Sequence, residues 1–536
     1  MAAMDVPTLI KRADRAWERN ATWRSLHQEA YRYALPERDP ITTTAEGARK
    51  SDAVYDSTAI GSVSRFANRI QDVAFPARQR WATLDAGTDV PEEDRPDVQK
   101  ALDEVEQVLW REVHLSNWDV ALNEALHDLS VSTGLILIQS AHALRRTAGA
   151  KIQCQAVPAP LAALEEGPFG IVEGVFWKQK VVIRDILRLY PDADLPPELE
   201  RRRLEDENAE IELETATYYD ADDDGYRFDV LWRGSPPARL VARMHNTMPW
   251  ICFRWLKAPG EVYGRGPVIQ VLPDIKTANA VVRLVLQAAS LAIVPAFTAV
   301  DDGVLNLNTI QIRPGALIPV GSNGGGRGAS LQPLPSVGDV RMSQIVLSDL
   351  RQSIKDALFD RQLPPETGPV RSPTEIMERT RELQRDIGAA FGRLISDGAE
   401  PAIARFLDIL SEAGEITLPL KVNGREIAIK ATSPLAQVQN LADVQTVTQY
   451  LQILAQIYGP EVVQEAVKRD DFYDWLADKL GVPQKLLPTV NERQKGREDA
   501  RQGAEAQMLA TSPVAARVAD NLTKPAPAGA QNKGAA

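Results

Sequence analysis

Between residues 280 and 297 the chain is almost entirely apolar, over a length close to that of a membrane span. A spanning helix needs about 20 consecutive apolar residues. Arg283 and Gln287 interrupt this run and Pro295 ends it, and a charge in mid-bilayer is costly. The run is better read as the second half of a longer amphipathic pattern. From Pro267 to about Leu291, Val268, Val271, Leu272, Ile275, Ala278, Val282, Val285, Leu286 and Ala289 recur at helical spacing. Gln270, Asp274, Lys276, Thr277, Arg283 and Gln287 lie mostly off that face. About 24 residues make a rod of about 36 Å, with Pro273 expected to kink its second turn. Such a rod packs sideways against neighbours and keeps one face wet.

A second rod is predicted over residues 339–359. Val346, Leu350, Ile354, Ala357 and Leu358 form its stripe, and Arg341, Asp349, Arg351, Lys355 and Asp356 supply charge. Between the rods, residues 292–337 hold short strand-like pieces and many turns, a small β module at the tip. "DRQLPPETGPVR" follows, where three prolines exclude helix. "SPTE" then opens a long helix running to about Leu410, with Ser372 as N-cap, Pro373 at the first position and Glu375 closing a capping box. Ile376, Leu383, Ile387, Phe391, Leu394 and Ile395 make its buried side, and Pro401 is expected to kink it.

Upstream, helices are predicted at 5–35, after Asp56 or Ser57 as far as Pro76, at 96–114, and over "NWDVALNEALHDLSVSTG". In the last, Val120, Leu122, Leu126 and Leu129 make the stripe, Asn117 caps and Gly134 follows. The chain then turns to strands: "LILIQS", "KIQCQAVP", "IVEGVFWKQKVVI", "ELETATYYDADDDGYRFDVLWR" and "ARLVARMHNTMPWICFRWLK". Helices followed by an antiparallel β region define an α+β class. Near the C-terminus "EITLPLKVNGREIAIKAT" reads as a hairpin turning at Asn423-Gly424. Three short amphipathic helices come next, then a tail rich in Gln, Ala, Lys, Pro and Gly.

This order of parts resembles the portal protein, or head-to-tail connector, of short-tailed bacteriophages. The carrying stretches are "GEVYGRGPVIQVLPDIKTANAVVRLVLQAAS", the tip, the second rod, the proline-rich loop and "SPTEIMERTRELQRDIGAAFGRLISDGAEPAIARFLDIL". "WRSLHQEAYRYALPER" and "RWATLDAG" near the N-terminus add to it. The resemblance implies a phage portal fold: a wing (1–262), stem helices (263–291 and 338–359), a β-rich clip (292–337) and a tunnel loop (360–372). A long wing helix with its hairpin (373–433), an α-helical crown (434–482) and a tail (483–536) complete it, the tail left open between a partial barrel and disorder. It further implies a ring of twelve copies at one capsid vertex that conducts double-stranded DNA in packaging and ejection. The implied partners are the terminase large subunit, a tail adaptor, and the major capsid and scaffolding proteins. The implied location is the virion, with host cytoplasm during assembly, and no membrane. On this reading Val271, Leu272, Ile275, Val282, Leu286, Leu350 and Ile354 pack stems between subunits. Arg361, Gln362 and Arg371 line the channel at the tunnel loop, and Arg313, Asn323 and Arg327 of the clip meet terminase or adaptor.

The charge is consistent with a channel. The 536 residues carry a formal net charge of −12, so the whole surface is not built to grip phosphates, while sparse basic groups let DNA slide. Twelve copies would carry about −144. No catalytic apparatus is expected. His27, His114, His127, His142 and His245 lack metal-ligand spacing, and no Ser–His–Asp set stands out. "DADDDG" opens like a calcium loop, but the twelfth position is Leu231, so a solvated hairpin turn is expected. "GSNGGGRGAS" lacks the Gly-Lys-Ser/Thr ending of a phosphate loop, and packaging would draw its ATPase from another chain. Arg201, Arg202 and Arg203 read as a solvated helix face, and Cys154 and Cys252 as small buried hydrophobes. No cofactor or metal is expected. Two other classes stay open on sequence alone: a soluble enzyme with a β-rich middle domain, and a pore-forming, membrane-associated protein using the 268–294 stripe.

Overall fold

The computed structural model describes residues 4–42, 47–91, 93–141, 151–293, 297–299, 331–333, 340–360, 388, 390–417, 426–432, 434–458, 467 and 469–480. The chain divides into two units, Met1–Leu435 and Ala436–Ala536.

The first unit opens with α1 (Val6–Ala34), whose N-cap Asp5 accepts a hydrogen bond from the Thr8 amide at 3.3 Å. α2 (Thr58–Ala74), β1 (Ala82–Ala86), α3 (Arg95–Leu115) and α4 (Trp118–Val131) follow. Strands β2 (Thr133–Ser140), β3 (Ile152–Ala156), β4 (Ala162–Glu166) and β5 (Val172–Val182) come next. After the short α5 (Ile186–Leu189) and α6 (Pro197–Glu205) lie β6 (Glu210–Asp220), β7 (Gly225–Trp232), β8 (Ala238–His245) and β9 (Trp250–Arg254).

Strands β2 to β9 form two antiparallel sheets, one in the order β4-β5-β6-β7-β8 and one in the order β3-β2-β9. Side-chain alternation stacks them in layers. On one face of the five-stranded sheet, Ala163, Phe176, Ala216, Tyr218 and Leu231 receive Leu9, Ala13 and Ala16 of α1. Its other face, with Val175, Trp177, Leu213, Phe228 and Val230, meets Leu135 and Leu137 of β2 and Trp250 and Cys252 of β9. The alternate residues Ile136, Ile138, Ile251 and Phe253 point the opposite way, into the helical core of α2, α3 and α4. A strand buried on both faces needs an uninterrupted apolar run, which is why β2 reads Leu-Ile-Leu-Ile.

The predicted strand region and N-terminal helices are present, with some differences. Val120 is exposed; the buried side of α4 is Trp118, Ala121, Leu122, Ala125, Leu126 and Leu129. Asn117 makes no side-chain cap. It brackets β3 instead, donating to the Cys154 carbonyl (2.7 Å) and accepting from its amide (2.9 Å). Gly134 lies inside β2, where a Cβ would stand 2.3 Å from the Phe253 ring. Two strands lie outside the predicted ones: β4, which edges the five-stranded sheet, and β1, which pairs with β12 (Ile427–Ala431), from the far end of the unit. The Asn423-Gly424 turn lies outside the described residues.

The "DADDDG" segment is the β6–β7 turn. Its carboxylates are held by Arg227, which pairs with Asp220 and Asp223. Arg201, Arg202 and Arg203 lie on α6, paired to Glu198 and Glu200 on a wet face. Cys154 and Cys252 are buried and unbridged, and burial pushes the Cys252 thiol up to about 12.

The long helix is described at 388 and from 390 onward. At Ile395–Ala399 it widens into a π-turn, and the Glu400 amide bonds back five residues to the Ile395 carbonyl. α9 (Glu400–Glu412) then starts with Pro401 in its first turn. Proline removes a donor, and the wider turn absorbs the mismatch that sequence predicts as a kink. Ser372, Pro373 and Glu375 lie outside the described residues. α10 (Pro434–Tyr458), which belongs to the second unit from Ala436 onward, is one helix of 25 residues where the sequence predicts shorter pieces. α11 (Arg469–Leu480) carries a Phe472–Trp475 stack, and its Lys479 pairs with Asp443 at 2.7 Å.

His27 of α1 is fully buried between the rings of Trp23 and Tyr263, each 5.5 Å away. Desolvation lowers its pKa to about 3. The folded chain therefore keeps His27 neutral while the unfolded chain takes up a proton below about pH 6.5. Stability from this group is full above pH 6.5 and falls as pH drops toward 3. At pH 5 the penalty relative to pH 7.5 is about 2 kcal/mol. His27→Phe is expected to remove that part of the acid sensitivity, measured as the difference between the two chains' urea unfolding at the two pH values.

Candidate assembly surface

Two helices leave the core together: α7 (Pro267–Ile293) and α8 (Val340–Ala357). The entry to α7 explains its Gly-Arg-Gly signature. Gly266 donates to the Val131 carbonyl at 2.9 Å, and a Cβ there would lie 2.2 Å from the Ser130 carbonyl oxygen. Arg265 pairs with Glu261 at 2.6 Å and lies over the Trp23 ring. Tyr263, buried, donates to the Ala162 carbonyl at 2.8 Å.

The first half of α7 is root. Val268, Leu272, Ile275 and Ala278 recur at helical spacing and are buried in the main core with Ile354 and Leu358 from the end of α8. Pro273 sits on the exposed side, and Thr277 donates to its carbonyl at 2.8 Å. Polar clamps fix the direction of the pair. The buried Asn279 carboxamide accepts from the amides of Tyr55 (2.6 Å) and Asp56 (3.2 Å) and donates to the Ala53 carbonyl (3.0 Å). Asp56 accepts from the Thr58 amide and from Arg351 of α8, at 2.9 and 2.8 Å. Against the opposing effect of burial, those bonds hold its carboxyl below the ordinary range.

The exit of α8 is a second clamp. Phe359 takes φ 54°, and the amides of Phe359 and Asp360 bond back to Asp356 and Lys355 carbonyls. This is a Schellman ending with phenylalanine where glycine is usual. The conformation costs a non-glycine residue on the order of 1–3 kcal/mol, offset here by rings. Phe359 lies 6.3 Å from Phe66 and 5.7 Å from Trp255. Asp360, buried, accepts from Ser62 (2.7 Å) and pairs with Arg65 (2.6 Å), while Arg69 donates to the Phe359 carbonyl at 2.6 Å.

Beyond the root the pair loses cover from its own chain. On α7, Leu284 is 63% exposed and Leu286 54%; on α8, Ile345 is 59% exposed and Val346 44%. The residues singled out from sequence therefore divide. Leu272, Ile275 and Ile354 are buried within this chain, Val271 and Leu350 are half-buried against the same core, and Val282 is half-buried. Leu286 is exposed, together with Leu284, Ile345 and Val346; Val346 was placed in the stripe, while Leu284 and Ile345 were not singled out. Asn279 and Asp360 were also missed. At the tip, Phe297–Ala299 (β10) pairs antiparallel with Leu331–Pro333 (β11). Arg313, Asn323, Arg327, Arg361, Gln362 and Arg371 lie outside the described residues. Among the described residues no helix is long and apolar enough to cross a membrane.

A family model described as bacteriophage head to tail connecting protein matches residues 6–487. The chain belongs to that family. It is a portal- or connector-type structural protein of viral particles; the match does not specify the short-tailed-phage type that the sequence resembles. The connector is also 26% identical over 273 residues to a "Probable portal protein" of Bordetella phage BPP-1, a match covering 48% of this chain and 47% of the relative. The matched part thus spans about half the length of that relative. Among solved structures, a chain from the virion of a native gene transfer agent (GTA) particle aligns at 13% identity with TM-score 0.36, over 85% of this chain and 99% of that one. One from the neck of an empty GTA particle aligns at 13% identity with TM-score 0.35, over 82% and 96%.

Asp360→Ala is expected to destabilise the connector by about 1–3 kcal/mol, because Ser62 and Arg65 lose their acceptor. Amide exchange should quicken most at Leu358, Phe359 and Asp360. An unchanged exchange pattern would show that the α8 exit is held by ring packing alone.

Proposed function

We propose that this connector works as a ring of twelve copies, a portal of the short-tailed-phage type, through which double-stranded DNA enters and leaves the particle. The observation that carries the reading is the outer half of the α7–α8 pair. It offers Leu284, Leu286, Ile345 and Val346 to solvent on a rigid, clamped base. Burying a leucine or isoleucine side chain contributes about 1.5–3 kcal/mol, and repetition around a closed ring multiplies the gain. The acidic balance, −12 per chain, suits a bore that must not bind DNA tightly. The connector's role in this reading is structural rather than enzymatic. Terminase, a tail adaptor, and capsid and scaffolding proteins would dock on its rim, clip and wing.

Size-exclusion chromatography with light scattering tests the ring. Wild type is expected near 700 kDa, twelve chains of 58.9 kDa. Leu286→Asp combined with Ile345→Asp is expected to elute as a monomer with an unchanged circular dichroism spectrum. A wild-type monomer at all concentrations would end the proposal.

Arg361→Ala with Arg371→Ala is expected to leave the ring intact while altering packaging or retention of DNA in an assembly assay. Loss of the ring in that double variant would assign the loop a structural part instead.

A further inference from the structure

The turn joining β4 to β5 exposes an aromatic side chain on a stiff base. Phe169 is fully exposed at φ 65°, a left-handed conformation disfavoured for a bulky residue, and Ile171 beside it is also exposed. The turn is not loose. The Gly167 amide donates to the Ile171 carbonyl at 2.9 Å, and the buried Arg254 donates to the Gly170 carbonyl at 3.0 Å. Lys257 pairs with Glu166 at its foot. A strained backbone holding a large apolar group in water, with its base anchored, is arranged for a contact outside the chain.

A cavity lies at the opposite edge of the same sheet. It measures about 290 Å³ and opens beside β8, lined by Phe228, Arg243, Met244, His245, Pro249 and Arg405 among others. Among the lining residues the Phe228 ring lies 6.2 Å from the His245 ring. Its cations are tied in place: Arg405 pairs with Asp408 at 2.9 Å and Arg243 bonds to Asp192 at 2.8 Å. The Arg243 guanidinium already lies over the Tyr190 ring at 6.0 Å and Glu412 adds a carboxylate to the lining, so an entering ring would rest on Phe228, Met244 and Pro249. Knob and cavity lie at the same end of the sheet. Glu165 pairs with Gly174, Gly174 with Tyr218, Tyr218 with Arg227, and Arg227 with Met244. One register row therefore runs across the sheet from the strand that leads into the Phe169 turn to the strand that edges the cavity. Four strand spacings separate the two, about 19 Å.

A projection beside one edge strand and a cavity beside the other, at the same end of the sheet, is the geometry of a head-to-tail contact, which forms a ring where the rotation between copies closes. We infer that Phe169 of one copy seats in the cavity beside Met244 of the next. This adds a second contact between subunits, away from the α7–α8 pair, and it rests on the ring reading above. A flat surface with the same residues would fit many partners. The matched edges of one sheet favour a second copy of this chain.

The test uses full-length chains and a short bis-maleimide. One preparation carries Phe169→Cys, another Met244→Cys; the native Cys154 and Cys252 are buried and give little background. Cross-linked dimers are expected when the two are mixed and assembled, and not from either alone. Self-linking of the Phe169→Cys chain would show a two-fold contact and overturn the inference. Absence of linking in the mixture, while light scattering still reports the ring, would overturn it and leave the ring reading standing. A wild-type chain that never assembles would remove both. As a control on folding, Phe169→Gly suits the left-handed backbone while deleting the ring. It is expected to raise the concentration needed for assembly roughly tenfold without lowering the monomer's melting temperature. Assembly at the wild-type concentration would count against the knob.

Discussion

Val268, Leu272, Ile275 and Ala278 of a single helix are buried in the core of the first unit. The helix runs on through Pro273 to Ile293. A helix is stiff over this length, so fixing its first three turns fixes the direction of the rest. The apolar outer turns are thereby held out in solvent, where the chain's own core cannot reach them. Exposed leucines on a flexible segment would collapse inward. On a clamped rod they remain available to a neighbour, and that constraint underlies the assembly reading.

Hydrophobic burial alone would not set the direction, since it is not directional. Buried polar groups do. Asn279 reads three backbone groups of the segment before α2, Asp56 joins that segment to Arg351, and Asp360 ties the end of α8 to Ser62 and Arg65. Each leaves an unpaired polar group if the helices shift, which costs more than the bond gains. Arg254 plays the same part further away, linking β9 to Asp397 in the π-turn at 3.1 Å and to the Gly170 carbonyl at 3.0 Å. The same buried side chain thus serves both the scaffold and the turn that presents Phe169.

Much of the fold was legible because its signals are local. The 3.6-residue periodicity gave α1, α2, α7 and α8, and turn residues between Val- and Tyr-rich runs gave β5 to β9. Leu-Ile-Leu-Ile announced a strand, and the structure shows that both its faces are buried. What failed depended on partners distant in sequence. β1 is five residues whose pairing with Ile427–Ala431 no local pattern reveals. Val120 looked like a core residue because it is apolar, yet the helix phase is set by Trp118 and Leu122 against the core. Phe359 ends a helix where glycine would have flagged the turn, and only its packing on Phe66 and Trp255 accounts for it.

The sequence by itself determined that two amphipathic rods flank a short β segment, that an antiparallel β region precedes them, and that the chain is acidic. These follow from periodicity, composition and charge, which are properties of neighbouring residues. Tertiary structure decided where along each rod the core stops. Leu272 and Leu286 occupy the same apolar stripe, yet one is buried and the other exposed. Periodicity reports which face of a helix is apolar but not how far the rest of the chain extends to cover it.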